Sequence, residues 1–306
     1  MEIKEFYLML DQLYQTGPIA EVEAFLAKIA DQSLNCCGRV SELGIACLNE
    51  QGSLYRSLGN YEESVCCFLA ALDYLALQFG SDSPEYLTTL GNLAGTYRQK
   101  GEINQAIQTF ETCKATLLAK GQAETYLYAT TLNNLALAQM ETGNNELALD
   151  NLEDSVAILA TIPGTELEQA TAQVNLSILY QRQGDLDRAR QVLAAALYQL
   201  AQNPADPHYW AALNQKASLA VQANDFAVAE QLYCQVRDHL QHTFGSNREY
   251  AITCFNLAKT QEQQKARDRA LESADMAMNA YKKILGDNHS RTLQAQAYLE
   301  HLRGLA

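Results

Sequence analysis

Residues Leu90–Ile103 read LGNLAGTYRQKGEI, and the chain restates the plan of this stretch six more times. Leu90, Leu93, Ala94 and Tyr97 recur at helical spacing, and Gly101 supplies the positive φ that ends a helix. Aligned on that turn residue, Gly59-Asn60-Tyr61, Gly101-Glu102-Ile103, Gly143-Asn144-Asn145 and Gly184-Asp185-Leu186 form one series. Asn224-Asp225-Phe226 and Lys265-Ala266-Arg267 continue it, and Gly17-Pro18-Ile19 begins it. The intervals are 42, 42, 42, 41, 40 and 41 residues, a period too regular for coincidence. Asn224 tolerates a left-handed backbone; Lys265 does so less readily, so the last turn is expected to be irregular.

Each period reads as two helices. Seven residues before the turn the side chain is small (Gly52, Ala94, Ala136, Ser177, Ala217, Ala258), and five residues after it is small again (Ser64, Ala106, Ala148, Ala189, Ala229, Ala270). Two helices approach closely only where neither carries bulk, so these pairs mark the crossing of a helical hairpin. Prolines 18, 84, 163, 204 and 207 all fall outside expected helix interiors, and Ser83-Pro84-Glu85 and Asp206-Pro207-His208 carry helix-start chemistry. No alternating run or Asn-Gly hairpin signals a strand. The expected fold is all-α: a right-handed α-solenoid of about seven stacked helix-turn-helix hairpins. Residues 1–31 form a divergent first hairpin, 32–289 six repeats, and 290–306 a C-terminal capping helix. In the fifth repeat Lys216 and Ala220 replace the leucine and tyrosine of the core face.

Small, aromatic and turn residues at these offsets resemble the tetratricopeptide repeat (TPR). The period exceeds the usual 34 residues by about eight, near one extra turn per helix. That length is similar to the kinesin light chain subclass, as are Phe79-Gly80-Ser81-Asp82-Ser83-Pro84, Phe244-Gly245-Ser246-Asn247, Leu285-Gly286-Asp287-Asn288-His289 and Leu132-Asn133-Asn134-Leu135-Ala136. No heptad coiled-coil region accompanies them, so motor transport is not implied. The resemblance implies that the first helices line a concave groove. It also implies that the asparagine before the Leu-Ala or Leu-Gly pair, here Asn92, Asn134, Asn175 and Asn256, bonds the backbone of an extended peptide.

The same asparagines stand on a stripe that the spacing alone picks out, 13, 9, 6 and 2 residues before the turn. It reads Thr88, Asn92, Gly95, Gln99; Thr130, Asn134, Leu137, Glu141; Thr171, Asn175, Ile178, Arg182; and Ile252, Asn256, Lys259, Gln263. Threonine and asparagine are poor helix formers, each costing about half a kcal/mol against alanine, so a solvated face would not select them. A primary amide both donates and accepts, which lets a ladder of them pair a peptide backbone of any sequence. The competing reading is that the amides bridge neighbouring helices and stiffen the stack. Arg56, Arg98, Arg182 and Lys259 against Glu50, Glu141 and Glu262 leave this face neutral to slightly basic. A neutral to mildly acidic peptide is therefore expected, with Arg56 and Arg98 on a carboxylate; ordinary surface ion pairs are the alternative.

Composition narrows the classes. The 306 residues are 48% hydrophobic and 19% charged, and 36 acids against 22 bases give a net charge of −14. Such a surface repels nucleic acid and anionic lipid. Neither a signal peptide nor an apolar run long enough for a membrane span is found, so a cytoplasmic protein with no membrane or nucleic-acid partner is expected. The eight cysteines then read as thiols, with the pairs Cys36-Cys37 and Cys66-Cys67 as buried small residues. Tyr86, Tyr128, Tyr209 and Tyr250 read as interlocks between repeats, and Trp210 as a possible contact anchor. Cys234, Asp238, His239 and His242 share a helix that a metal could bridge, but a solvated helix end fits them better. No phosphate loop, nucleophile elbow or metalloprotease motif occurs. A protein- or peptide-binding scaffold or adaptor without enzyme activity, cofactor or metal is the leading expectation; the alternative is a peptide-sensing regulator whose superhelix changes pitch.

Overall fold

The computed structural model describes residues 1–34 and 41–304, which contain fifteen α-helices and no strand. They divide into two compact units, Met1–Ile162 and Pro163–Ala306. The first holds α1 (Ile3–Thr16), α2 (Ile19–Leu34), α3 (Glu42–Leu58), α4 (Tyr61–Phe79), α5 (Pro84–Lys100), α6 (Ile103–Ala119), α7 (Tyr126–Glu141) and α8 (Asn145–Leu159). The second holds α9 (Glu166–Gln183), α10 (Leu186–Leu200), α11 (Pro207–Gln222), α12 (Phe226–Phe244), α13 (Arg248–Gln263), α14 (Arg267–Leu285) and α15 (Ser290–Gly304). Within each unit a helix packs on its successor. First helices of adjacent hairpins also touch: α3 lies beside α5, α5 beside α7, α9 beside α11, and α11 beside α13. This is the α-solenoid pattern of stacked hairpins. Pair Cys36-Cys37 lies outside the described residues.

Hairpin crossings sit where the small residues are. Ala94, Ala106, Ala136, Ala148, Ala217, Ala229, Ala258 and Ala270 are fully buried. At Gly52 a Cβ would stand 2.8 Å from the Phe68 ring, closer than any side chain tolerates. Serine fills the same register by bonding across it: Ser64 Oγ donates to Gly52 O at 2.7 Å and Ser177 Oγ to Ala189 O at 2.9 Å. Helix starts follow the sequence chemistry, with Ser83 Oγ accepting from Tyr86 N–H and Asp206 Oδ1 from His208 N–H.

Three expectations are corrected. The turn at Lys265 is regular: φ is 60°, Lys265 N–H donates to Glu262 O, and Ala266 N–H to Gln261 O, as at Gly59, Gly101 and Gly184. The paired bonds to helix-end carbonyls outweigh a side-chain clash of about 1–2 kcal/mol. Gly17, by contrast, is extended at φ −105°, ψ 158°, because Pro18 excludes helical or left-handed backbone before it. Finally, Cys66 is exposed and Cys67 only half-buried. Cys66 stands seven residues after its turn, where Gln108, Asp150, Gln191, Gln231 and Glu272 are exposed in the other repeats.

In the fifth repeat Lys216 turns to solvent and Ala220 is half-buried. Tyr86, at the joint of three buried clusters, and Tyr128 and Tyr250, both buried, interlock successive hairpins. Among the described residues, no helix is long and apolar enough to cross a membrane.

Candidate functional site

In the first unit a cavity of about 390 Å³ opens between α3, α5, α6 and α7. Arg56, Thr88, Asn92, Arg98, Thr130 and Asn134 line it together with Gly91, Gly95 and Gln99. The floor is bare backbone: a Cβ on Gly91 would meet nothing within 4 Å, and one on Gly95 would meet the Arg56 guanidinium at 3.1 Å. Gly95 therefore lets Arg56 reach over α5, where Nη1 donates to Asn92 O at 3.2 Å, with the guanidinium 5.9 Å from the centre of the Phe68 ring. Arg56 has no ion pair among the described residues. Burial, helped by the charge of Arg98, lowers its pKa. Arg98 is committed elsewhere: its Nη1 donates to Glu141 Oε1 at 2.7 Å, joining α5 to α7.

The polar stripe is not uniform. Thr88, Thr130 and Thr171 give their hydroxyl protons to carbonyls of their own helices, Pro84, Leu127 and Leu167, and so offer a ligand only lone pairs. Asn134 Oδ1 accepts weakly from Asn133 at 3.4 Å. The side-chain amides of Asn92 and Asn256 make no hydrogen bond among the described residues. Thr171, Asn175 and Arg182, all on α9, line neither cavity described here.

In the second unit a larger cavity, about 620 Å³, gathers Asn256 and Lys259 with Gln181, Ser218, Phe226, Tyr233, Glu262 and Tyr298. Its charges balance. Lys259 Nζ lies 4.6 Å from the Phe255 ring centre, and Glu262 accepts the Tyr298 hydroxyl at 2.7 Å with His301 Nε2 at 3.6 Å. Burial and the Glu262 carboxylate push the Tyr298 phenol well above its ordinary range.

Sequence reasoning missed the residues that bridge first helices here. Gln215 Nε2 donates to Gln181 Oε1 at 2.9 Å, and Gln181 Nε2 to Ser218 Oγ at 2.9 Å, tying α9 to α11. Gln215 occupies the stripe position nine residues before its turn, so the alignment that singled out asparagine already contained it. Trp210 is also held internally: its Nε1–H donates to Pro204 O at 2.8 Å and its ring stacks on His239 at 3.7 Å. Cys234, Asp238 and His242 do not converge with it. Among the described residues, no group of three or more His, Cys, Asp or Glu side chains could hold a metal ion.

The tetratricopeptide repeat family model matches residues 44–118 and 127–201. The chain is a tetratricopeptide repeat protein. This TPR protein is similar in fold to aspartyl phosphate phosphatase F from Bacillus subtilis, at 14% identity over 92% of this chain and 69% of that one, TM-score 0.70. It is also similar to NprR in complex with its cognate peptide NprX, at 16% identity over 100% of this chain and 88% of that one, TM-score 0.64. Putative kinesin light chain TPR-like repeats from Podosopora anserina align at 22% identity over 65% of this chain and 95% of that one, TM-score 0.53. No curated protein sequence matches it.

Proposed function

We propose that this TPR protein senses a peptide: an extended segment, neutral to mildly acidic, lies along its first helices and biases the repeat stack. One observation carries the reading. In the first-unit cavity an unpaired guanidinium, Arg56, and an uncommitted amide, Asn92, face the same glycine-floored space. Bare backbone and free amide groups suit a peptide main chain, and the guanidinium suits a carboxylate. The fold shared with NprR, a protein solved with its cognate peptide, supports a sensor over the runner-up, a constitutive scaffold or adaptor. The long period and the P. anserina repeats support a kinesin-light-chain-like subclass on the same footing. On this reading Asn134 extends the amide ladder within the first unit, where Thr88 and Thr130 contribute acceptors; in the second unit Asn175 and Asn256 offer amides, Thr171 an acceptor, and Arg182 and Lys259 charge.

The chain itself catalyses no reaction in this proposal, binds no cofactor and acts in the cytoplasm, which the free thiols of Cys47, Cys66, Cys67, Cys113, Cys234 and Cys254 support. The test is display selection of octapeptides on the full chain, followed by titration of the selected peptide into wild type and Asn92→Ala. A loss of about 1–1.5 kcal/mol with unchanged helicity is expected. Selection of no peptide, or equal affinity in the variant, overturns the groove. Release of phosphate from an acyl phosphate by the chain alone overturns the non-enzymatic reading. A peptide that leaves the amide-exchange pattern outside its own footprint unaltered favours the scaffold.

A further inference from the structure

A third cavity, about 170 Å³, lies apart from both grooves, where α11 and α13 begin and α12 ends in the second unit. Its walls are largely carbon, from Val236, Leu240 and the Trp210 ring. Its polar lining comes from Asn214, Asn247 and Glu249. Asn214 and Glu249 both bring oxygen acceptors to it, while Asn247 Oδ1 is already taken by Tyr250 N–H at 2.8 Å as a helix cap. Asn214 Oδ1 is buried and has no hydrogen-bond partner among the described residues. Buried acceptors are rarely left unpaired, so this one marks a place for a donor. The Trp210 N–H cannot serve, being bonded to Pro204 O, and stacking on His239 fixes the ring.

Size and chemistry then limit the guest. A dry cavity of about 150 Å³ holds one benzene, so this one takes a single side-chain-sized group. An anion would face Glu249, and a plain hydrocarbon would leave Asn214 unpaired. An aliphatic stem ending in an ammonium satisfies every wall: methylenes against Val236 and Leu240, the cation beside an aromatic ring and a carboxylate, its protons to Asn214 Oδ1. We infer that this cavity is a binding site for an alkylammonium group, either a lysine side chain of a partner polypeptide or a free aliphatic amine. The net charge of −14 draws such cations toward the protein. The site is independent of the peptide groove and stands or falls without it.

Trp210 is the sole tryptophan, so its emission reports this cavity directly. The full chain is titrated, at mildly alkaline pH, with n-pentylammonium and with n-pentanol, which matches the stem but lacks the charge. A saturable emission change is expected, with the amine about tenfold tighter than the alcohol. Glu249→Gln should remove that preference while the circular dichroism melt stays in place. If Nα-acetyl-lysine methylamide binds more tightly than n-pentylammonium, the guest is a polypeptide lysine; the reverse order assigns a free amine. Equal binding of amine and alcohol to wild type, a preference surviving in Glu249→Gln, or no saturable response overturns the inference.

Discussion

The two units build their first-helix faces from one repeat and arrive at opposite chemistry. Six residues before the turn, the first unit has Gly95 and the second has Lys259; three before it, the first has Arg56 and Arg98 and the second has Gln181 and Glu262. The first unit thereby leaves a guanidinium without a counter-charge over bare backbone, whereas the second sets Lys259 and Glu262 in one cavity and ties α9 to α11 through side-chain amides. A repeat fixes where side chains stand. It leaves what they do to single substitutions.

The largest expected effect separates the two faces. Arg56→Glu should weaken a display-selected acidic peptide by about 2–3 kcal/mol, on the order of a hundredfold, because it puts a carboxylate where the peptide's would sit. Lys259→Glu, at a residue of the other unit that lies over the Phe255 ring, should change the same affinity by less than about threefold. Isothermal titration of both variants measures the contrast, and equal losses would erase it.

A stability difference comes next. Gln215→Ala removes the shorter of the two bonds to Gln181 Oε1, leaving only Ser218 Oγ at 3.4 Å, and should destabilise the second unit by about 1–2 kcal/mol in urea. Asn92→Ala removes an amide that holds nothing within the chain and should leave the midpoint within about 0.5 kcal/mol. If Asn92→Ala destabilises as much as Gln215→Ala, both amides are structural and the faces differ less than their bonds indicate.

How much of this was legible follows from what a period can encode. Helix ends and hairpin crossings recur from repeat to repeat, and the interlocking tyrosine recurs in four of them, so alignment exposes them; even the exposure of Cys66 is readable from Gln108 and Asp150 seven residues after their own turns. Pairing between repeats is different. Whether Arg98 meets Glu141 or a ligand depends on two residues 43 positions apart and on Gly95 letting Arg56 cross α5, a coincidence of side-chain reach that no single repeat contains. Tyr298 is a further case: it reaches the second cavity from the terminal helix, outside the repeat register. The threonines mislead for a local reason, since a helical hydroxyl finds the carbonyl one turn back before it finds a ligand.

Turn chemistry sharpens the comparison at smaller scale. The first unit ends α3 and α5 in Gly59 and Gly101, whereas the second uses Asn224 and Lys265 at φ 59° and 60°. Lys265→Gly should therefore stabilise the second unit by about 1 kcal/mol, and Gly59→Ala should cost the first about as much, since no other atom lies near Gly59 to alter the balance. Chemical denaturation gives both signs. A loss on Lys265→Gly would mean that the lysine side chain contributes more than its backbone strain removes.

The smallest effect is a proton. All five histidines lie at or beyond His208, so histidine titration acts on the second unit alone. Desolvation against Trp210, and then the nearby charge of His242, hold the His239 pKa below its ordinary 6.5. The folded state thus gives up this proton more readily than the unfolded chain. Its contribution to stability is complete above pH 6.5, declines as pH falls from there to the depressed folded value, and is constant below it. Glu50 in the first unit and Glu249 in the second, both raised by burial, act in the opposite sense on acidification, so the pH profile of wild type alone does not isolate the imidazole. Subtracting the profile of His239→Gln does. The difference should be a small loss beginning near pH 6.5, accompanied by quenching of Trp210 emission with a midpoint below 6.5 that moves upward in His242→Gln. A midpoint above 6.5 would mean that the imidazolium is favoured by the stack, and that Trp210 acts on His239 as a cation acceptor more than as a desolvating wall.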